Sequence, residues 1–132
     1  MKNKLLNTLI GFLILITLLY SKVLSQEFSF EAGNIQNIDE KVIKASDKVF
    51  ISDNKGIKIY AEKFTYNKEK KIFKILDNVI FLDENNLLNI NSNKIEFDEK
   101  NNIITTFGET KISQNRKYEL KGEDIVYNRN NK

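Results

Sequence analysis

The sequence predicts an all-β domain of bent antiparallel strands stacked in units of about thirty residues, preceded by a segment that does not belong to it. Three observations predict this. One polar-rich phrase recurs as FEAGNI (30–35), IYAEKF (59–64), INSNKI (90–95) and LKGEDI (120–125), at offsets of 29, 31 and 30 residues, the period of stacked supersecondary units. Within each copy apolar residues alternate with polar ones, the period of two of a strand with one buried face. Between copies lie short clusters of Asn, Asp, Lys and Gly, which favour turns.

Residues 1–25 come first and read as an export signal. Lys2 and Lys4 form a basic start, Leu5 to Tyr20 an apolar run, and Val23-Leu24-Ser25 a small-residue cleavage pattern. Cleavage after Ser25 leaves 107 residues, 26–132, as the domain. The other reading is an uncleaved anchor, short of the roughly 20 apolar residues a spanning helix needs.

The signal also explains the charge. The chain's net +3 equals Lys2, Lys4 and Lys22, and the remainder carries 18 basic and 18 acidic residues, interleaved. With no basic block to release counterions, nucleic acid is excluded as an expected partner. The absence of Cys removes disulfides and thiolate chemistry, and the absence of His removes the commonest general base and metal ligand. Acidic neighbours such as Asp83-Glu84 and Asp98-Glu99 fall in turns, where adjacent side chains diverge. The expectation is a protein that is not an enzyme and holds neither metal nor cofactor; Asp53-Asn-Lys-Gly56 lacks the ligand spacing of a calcium loop.

In the second unit Ile57, Ile59 and Ala61 share one face, but the next apolar residues, Phe64 and Tyr66, lie three rather than two positions on. The same slip falls between Ser92 and Ile95 in the third unit and between Gly122 and Ile125 in the fourth. One added residue that switches faces is what a bulge does, and a bulge bends the strand. Each unit then returns through a second strand, opened by VI (42–43), IF (72–73) and II (103–104) and closed by VFI (49–51), VIF (79–81) and TKI (110–112). No stretch after the signal has helical periodicity.

The exit pairs Tyr66-Asn67, Phe97-Asp98 and Tyr127-Asn128, with the turn and apolar pair that follow, resemble the repeat of the OstA-like lipopolysaccharide-transport family. That family includes the periplasmic bridge protein and the N-terminal domain of the outer-membrane lipopolysaccharide assembly protein. The resemblance covers residues 28–132 and departs at one place: the family often has Gly before the last strand, where this chain has Gly108 but also Asp47 and Asp77. It implies an open β-jelly roll whose inner faces form an apolar groove for acyl chains, in a periplasmic protein associated with the outer membrane. Ile59, Phe64, Val79, Phe81, Ile90, Ile95, Ile112, Leu120 and Ile125 are then the lipid-groove candidates. The same residues equally suit the filled core of a structural β-repeat module, such as a solenoid or adhesin segment. Tyr66, Phe97 and Tyr127 read as packing aromatics at the sheet ends, and the turn lysines Lys68, Lys70, Lys71 and Lys100 as solvated charges.

Expected partners are lipopolysaccharide, the outer-membrane assembly complex, and other β-jelly-roll transport proteins joined by edge-strand pairing. Residues 127–132 align with the turn at 66–71, so the fourth repeat reads as incomplete and its last strand as an edge open to strand addition. Phe28 and Phe30 mark a second edge at the other end.

Overall fold

The two middle units each form a hairpin of long strands in a computed structural model that describes residues 28–130. The signal expected at 1–25 lies outside the described residues. Nine strands follow one another with no helix among the described residues: β1 (Phe28–Glu31), β2 (Asn34–Asn37), β3 (Val42–Asp53), β4 (Ile57–Asn67), β5 (Ile72–Asp83), β6 (Leu88–Asp98), β7 (Ile103–Gln114), β8 (Tyr118–Glu123) and β9 (Val126–Asn128). All belong to one antiparallel sheet in the order β1-β3-β4-β5-β6-β7-β8, with β2 also paired to β3 and β9 to β7. The turns fall in the expected polar clusters. Asp53 Oδ1 accepts the amide N–H groups of Lys55 and Ile57, and Asp98 Oδ1 accepts that of Asn101.

The bends have a local cause. Pairing shifts register between Ser46 and Val49, Tyr60 and Lys63, Leu76 and Val79, and Ser92 and Lys94, so the irregularities line up across neighbouring strands. At the corner of each return strand stands a residue with left-handed backbone: Asp47 (φ 71°), Asp77 (φ 66°) and Gly108 (φ 77°). The departure from Gly is therefore no departure in geometry, because a short carboxylate side chain tolerates this region. The terminal units differ from the middle ones. Their bent strands are interrupted at the corner, the first as β1 and β2, which pair with the two halves of β3, and the fourth as β8 and β9, which pair with the two halves of β7. Gly33 sits at the first interruption, where a Cβ would come within 2.3 Å of the Asp47 carboxylate.

Bending folds the sheet onto itself into two half-sheets with facing inner surfaces. One register column on the first half-sheet runs Phe30, Ile51, Ile59, Phe81, Ile90, Ile112, Leu120. On the second, a column runs Ile43, Tyr66, Phe73, Phe97, Ile104, Tyr127. Rings meet across the gap: Phe81 lies 5.4 Å from Phe97 and Phe28 4.8 Å from Phe73, centroid to centroid. All of these side chains except Leu120 belong to one core, each fully buried Ile or Phe contributing roughly 1.5–3 kcal/mol.

Replacement of Gly108 tests the corner. A Cβ there meets nothing within 4 Å, so only the backbone angle opposes it. Gly108→Val is expected to lower the unfolding free energy by roughly 1–2 kcal/mol, and Gly108→Asp to cost much less, as measured by urea unfolding.

Candidate functional site

The candidate site is the inner surface, and the structure places all nine sequence-derived residues along it. Ile59, Phe81, Ile90, Ile112 and Leu120 share the seven-strand column, and Phe64 and Ile95 share the column Ala45, Phe64, Ile75, Ile95, Thr106. Val79 heads the row nearest the corner, with Ser92, Thr110 and Gly122. Ile125 lies between β8 and β9, held to Thr106 by N–H donation to Oγ1 (3.0 Å) and by its carbonyl accepting the Thr106 N–H (2.8 Å).

The cover over these residues is uneven. Seven of the nine are buried, from Ile59 to Ile112, and Ile125 is half-buried. Leu120 is 55% exposed although it continues the same column. The second half-sheet covers the middle strands and leaves the β8 end open. Beside that opening a depression of ≈ 1140 Å³ reaches the corner row, with Val79, Ser92, Thr110 and Gly122 in its lining together with Phe107 and Lys121. The hydroxyls there are satisfied: Thr110 Oγ1 lies 3.1 Å from Ser92 Oγ, and Ser92 Oγ lies 3.3 Å from the Lys94 carbonyl.

At the opposite, β1 end the gap is shut by aromatics. Phe28 stacks edge-on against Phe73 and Phe97, and Phe30 packs on Phe64, Tyr66 and Phe73. The exit aromatics pack as expected, with Tyr66 and Phe97 buried and Tyr127 half-buried. The Tyr66 hydroxyl donates to Glu99 Oε2 at 3.0 Å. Its pKa is pushed up, first by burial and then by the neighbouring Glu99 carboxylate.

One pair was not legible in the sequence. Arg129, just after β9, reaches across the mouth of the gap to Asp83, the last residue of β5 on the other half-sheet; its Nη2 and Nε donate to Asp83 Oδ2 at 2.6 and 2.9 Å. Burial alone pushes the Asp83 carboxyl up, but bonds from Asn86 and Arg129 outweigh it and hold the carboxyl below its ordinary range. Both residues sit in polar turn clusters 46 positions apart, and no local pattern joins them. Among the described residues no group of three or more His, Cys, Asp or Glu is placed to hold a metal.

No family model and no curated protein matches the sequence. The fold has counterparts among solved structures. One is the crystal structure of LptH from Pseudomonas aeruginosa, described as the LptA-homologous periplasmic component of the conserved lipopolysaccharide transport device; it is 15% identical, with a TM-score of 0.68 over 78% of this chain and 76% of that one. The chain thus has the bent, open β-jelly-roll fold of that component.

Proposed function

We propose that the protein is a periplasmic lipopolysaccharide-transport component that receives acyl chains between its half-sheets and passes them toward the outer membrane without catalysis. It serves as a bridge protein or as the N-terminal domain of the assembly protein, and lipopolysaccharide and other β-jelly-roll proteins are its partners. The observation that carries this reading is the apolar column that crosses seven strands and emerges uncovered at Leu120. An apolar strip that leads from a core to a sheet edge suits alkyl chains, at ~0.8 kcal/mol per buried CH₂. The likeness in fold to a lipopolysaccharide-transport component supports it. The edges, β1 with β2 at one end and β8 with β9 at the other, suit strand addition by neighbouring transport proteins.

The second reading is a structural β-repeat module with a filled core, and the zero exposure of Ile59, Phe81, Ile90 and Ile95 favours it. A photocrosslinking amino acid placed singly at Leu120, Ile112 and Ile125, with outward Lys58 and Glu96 as controls, separates the two in cells. Transport predicts lipopolysaccharide adducts at the inner positions and not at the controls. A folded, exported protein that gives no adduct at any of them is a structural module.

A further inference from the structure

The mouth of the gap carries a charge pair that packing does not require. Asp83 is 1% exposed and stands in the inner row between Ile57 and Leu88. Its part in the turn is complete without a cation: Oδ1 accepts the Asn86 N–H at 3.2 Å and Oδ2 the Asn86 side-chain amide at 2.7 Å, as Asp98 does with Asn101. Burying an ion pair in such a place stabilises no better than apolar side chains of similar volume.

Arg129 is equally singular within the repeat. Lys68, Glu99 and Arg129 occupy equivalent positions, each donating its backbone N–H across the turn, to the carbonyls of Lys41, Lys71 and Asn102. Lys68 is exposed, and Glu99 accepts the Tyr66 hydroxyl. Of the three, Arg129 alone carries a positive charge over the mouth: its guanidinium lies over the Phe97 ring, 5.7 Å from the centroid, and Nη1 donates to Asn102 Oδ1 at 3.0 Å. A planar, permanently charged fork stands where an apolar slot meets water, with aromatic and aliphatic side chains beneath it.

We propose that Arg129 is the binding residue for the anionic head of an amphiphile whose chains occupy the slot, and that it binds while still paired with Asp83, which holds the guanidinium at the mouth. A phosphate accepts two parallel N–H bonds from guanidinium, a geometry that lysine cannot supply. Guanidinium has five N–H donors; Asp83 and Asn102 take three of them, and the remaining two are left for the head. This rests on the transport reading and names the chemistry of the ligand it needs: acyl chains joined to a phosphorylated head.

The test measures binding of lipopolysaccharide, and of the same lipopolysaccharide after enzymatic removal of its phosphates, to the full chain and two variants. The unsubstituted protein is expected to prefer the phosphorylated form roughly tenfold or more. Arg129→Gln brings that ratio to about one. Asp83→Asn, which retains the guanidinium and removes the negative charge beside it, raises affinity for the phosphorylated form. The opposite signs distinguish a ligand site from a clamp, since a clamp predicts that both variants weaken both lipids alike, and that result overturns the proposal. If Arg129→Gln fails to fold, as read by circular dichroism, the sign of the Asp83→Asn effect decides. Inorganic phosphate at the same concentration should leave the lipid bound; displacement by it would assign Arg129 to a free anion instead. If the unsubstituted protein binds both lipids without preference, the head-group site is overturned and transport stands. If it binds neither, the transport reading falls, and this site with it.

Discussion

Phe73→Ala will lower the unfolding free energy by about 3–5 kcal/mol, the range for a buried Phe truncated in a core that cannot collapse around the cavity. Phe73 is fully buried on β5 and touches rings from three other strands: Tyr66 stacked at 4.0 Å, Phe28 at 4.8 Å, and Phe97, Phe30 and Phe64 at 6.1 to 6.3 Å. Phe28 and Phe30 come from the facing half-sheet, so the cavity would loosen contact between the halves as well as within one. A domain of this size has about 5–15 kcal/mol in total, so much of its stability is at stake. Equilibrium urea unfolding measures it. A loss under about 1 kcal/mol would mean that the half-sheets do not share one core.

Arg129→Ala is expected to cost a similar amount, about 3–5 kcal/mol, because it leaves the Asp83 carboxylate buried beside Ile57 and Leu88 without its cation. Replacing both partners by Leu should recover most of that loss, since an apolar pair needs no compensating charge. Acid provides an independent check. The folded Asp83 pKa lies below the ordinary value of 3.8, so the charge contributes its full stability above that value and loses it as the pH falls through the lower folded value. In Arg129→Ala burial acts on Asp83 without the cation and raises its carboxyl pKa relative to the unsubstituted protein, so the gap should be constant near neutrality, begin to close as the pH falls through that higher value, and be lost below the folded value of the unsubstituted protein. A gap that does not narrow at all on acidification would point to another group.

Most of the fold was legible because it is written locally. Alternation in Ile57, Ile59, Ala61 and the one-residue slip to Phe64 specify both the buried face and the bend, and the structure puts the register shift at Tyr60–Lys63. Asp47 and Asp77 read as departures from a glycine pattern, yet they take the same left-handed angles as Gly108. The site was legible as a face but not as a covered surface. Leu120 and Ile112 are indistinguishable in pattern and differ in exposure because the facing half-sheet covers one and not the other. The Asp83–Arg129 pair was out of reach, since each residue alone is a turn charge like many others and only the closed mouth brings them together.

The order of the strands has a consequence for how the chain folds. From β3 to β7 every strand hydrogen-bonds to its predecessor, so each hairpin closes a loop of about thirty residues or fewer, and the entropy to be overcome stays small at each step. Assembly can advance like a zipper from one end as the chain lengthens, without waiting for distant segments. Among the contacts that skip strands, Phe28 to Phe97 and Asp83 to Arg129 come from the terminal strands or the turn beyond them, and Tyr66 to Glu99 passes over β5. They are the contacts that would turn a string of nearest neighbours into a domain that melts as one.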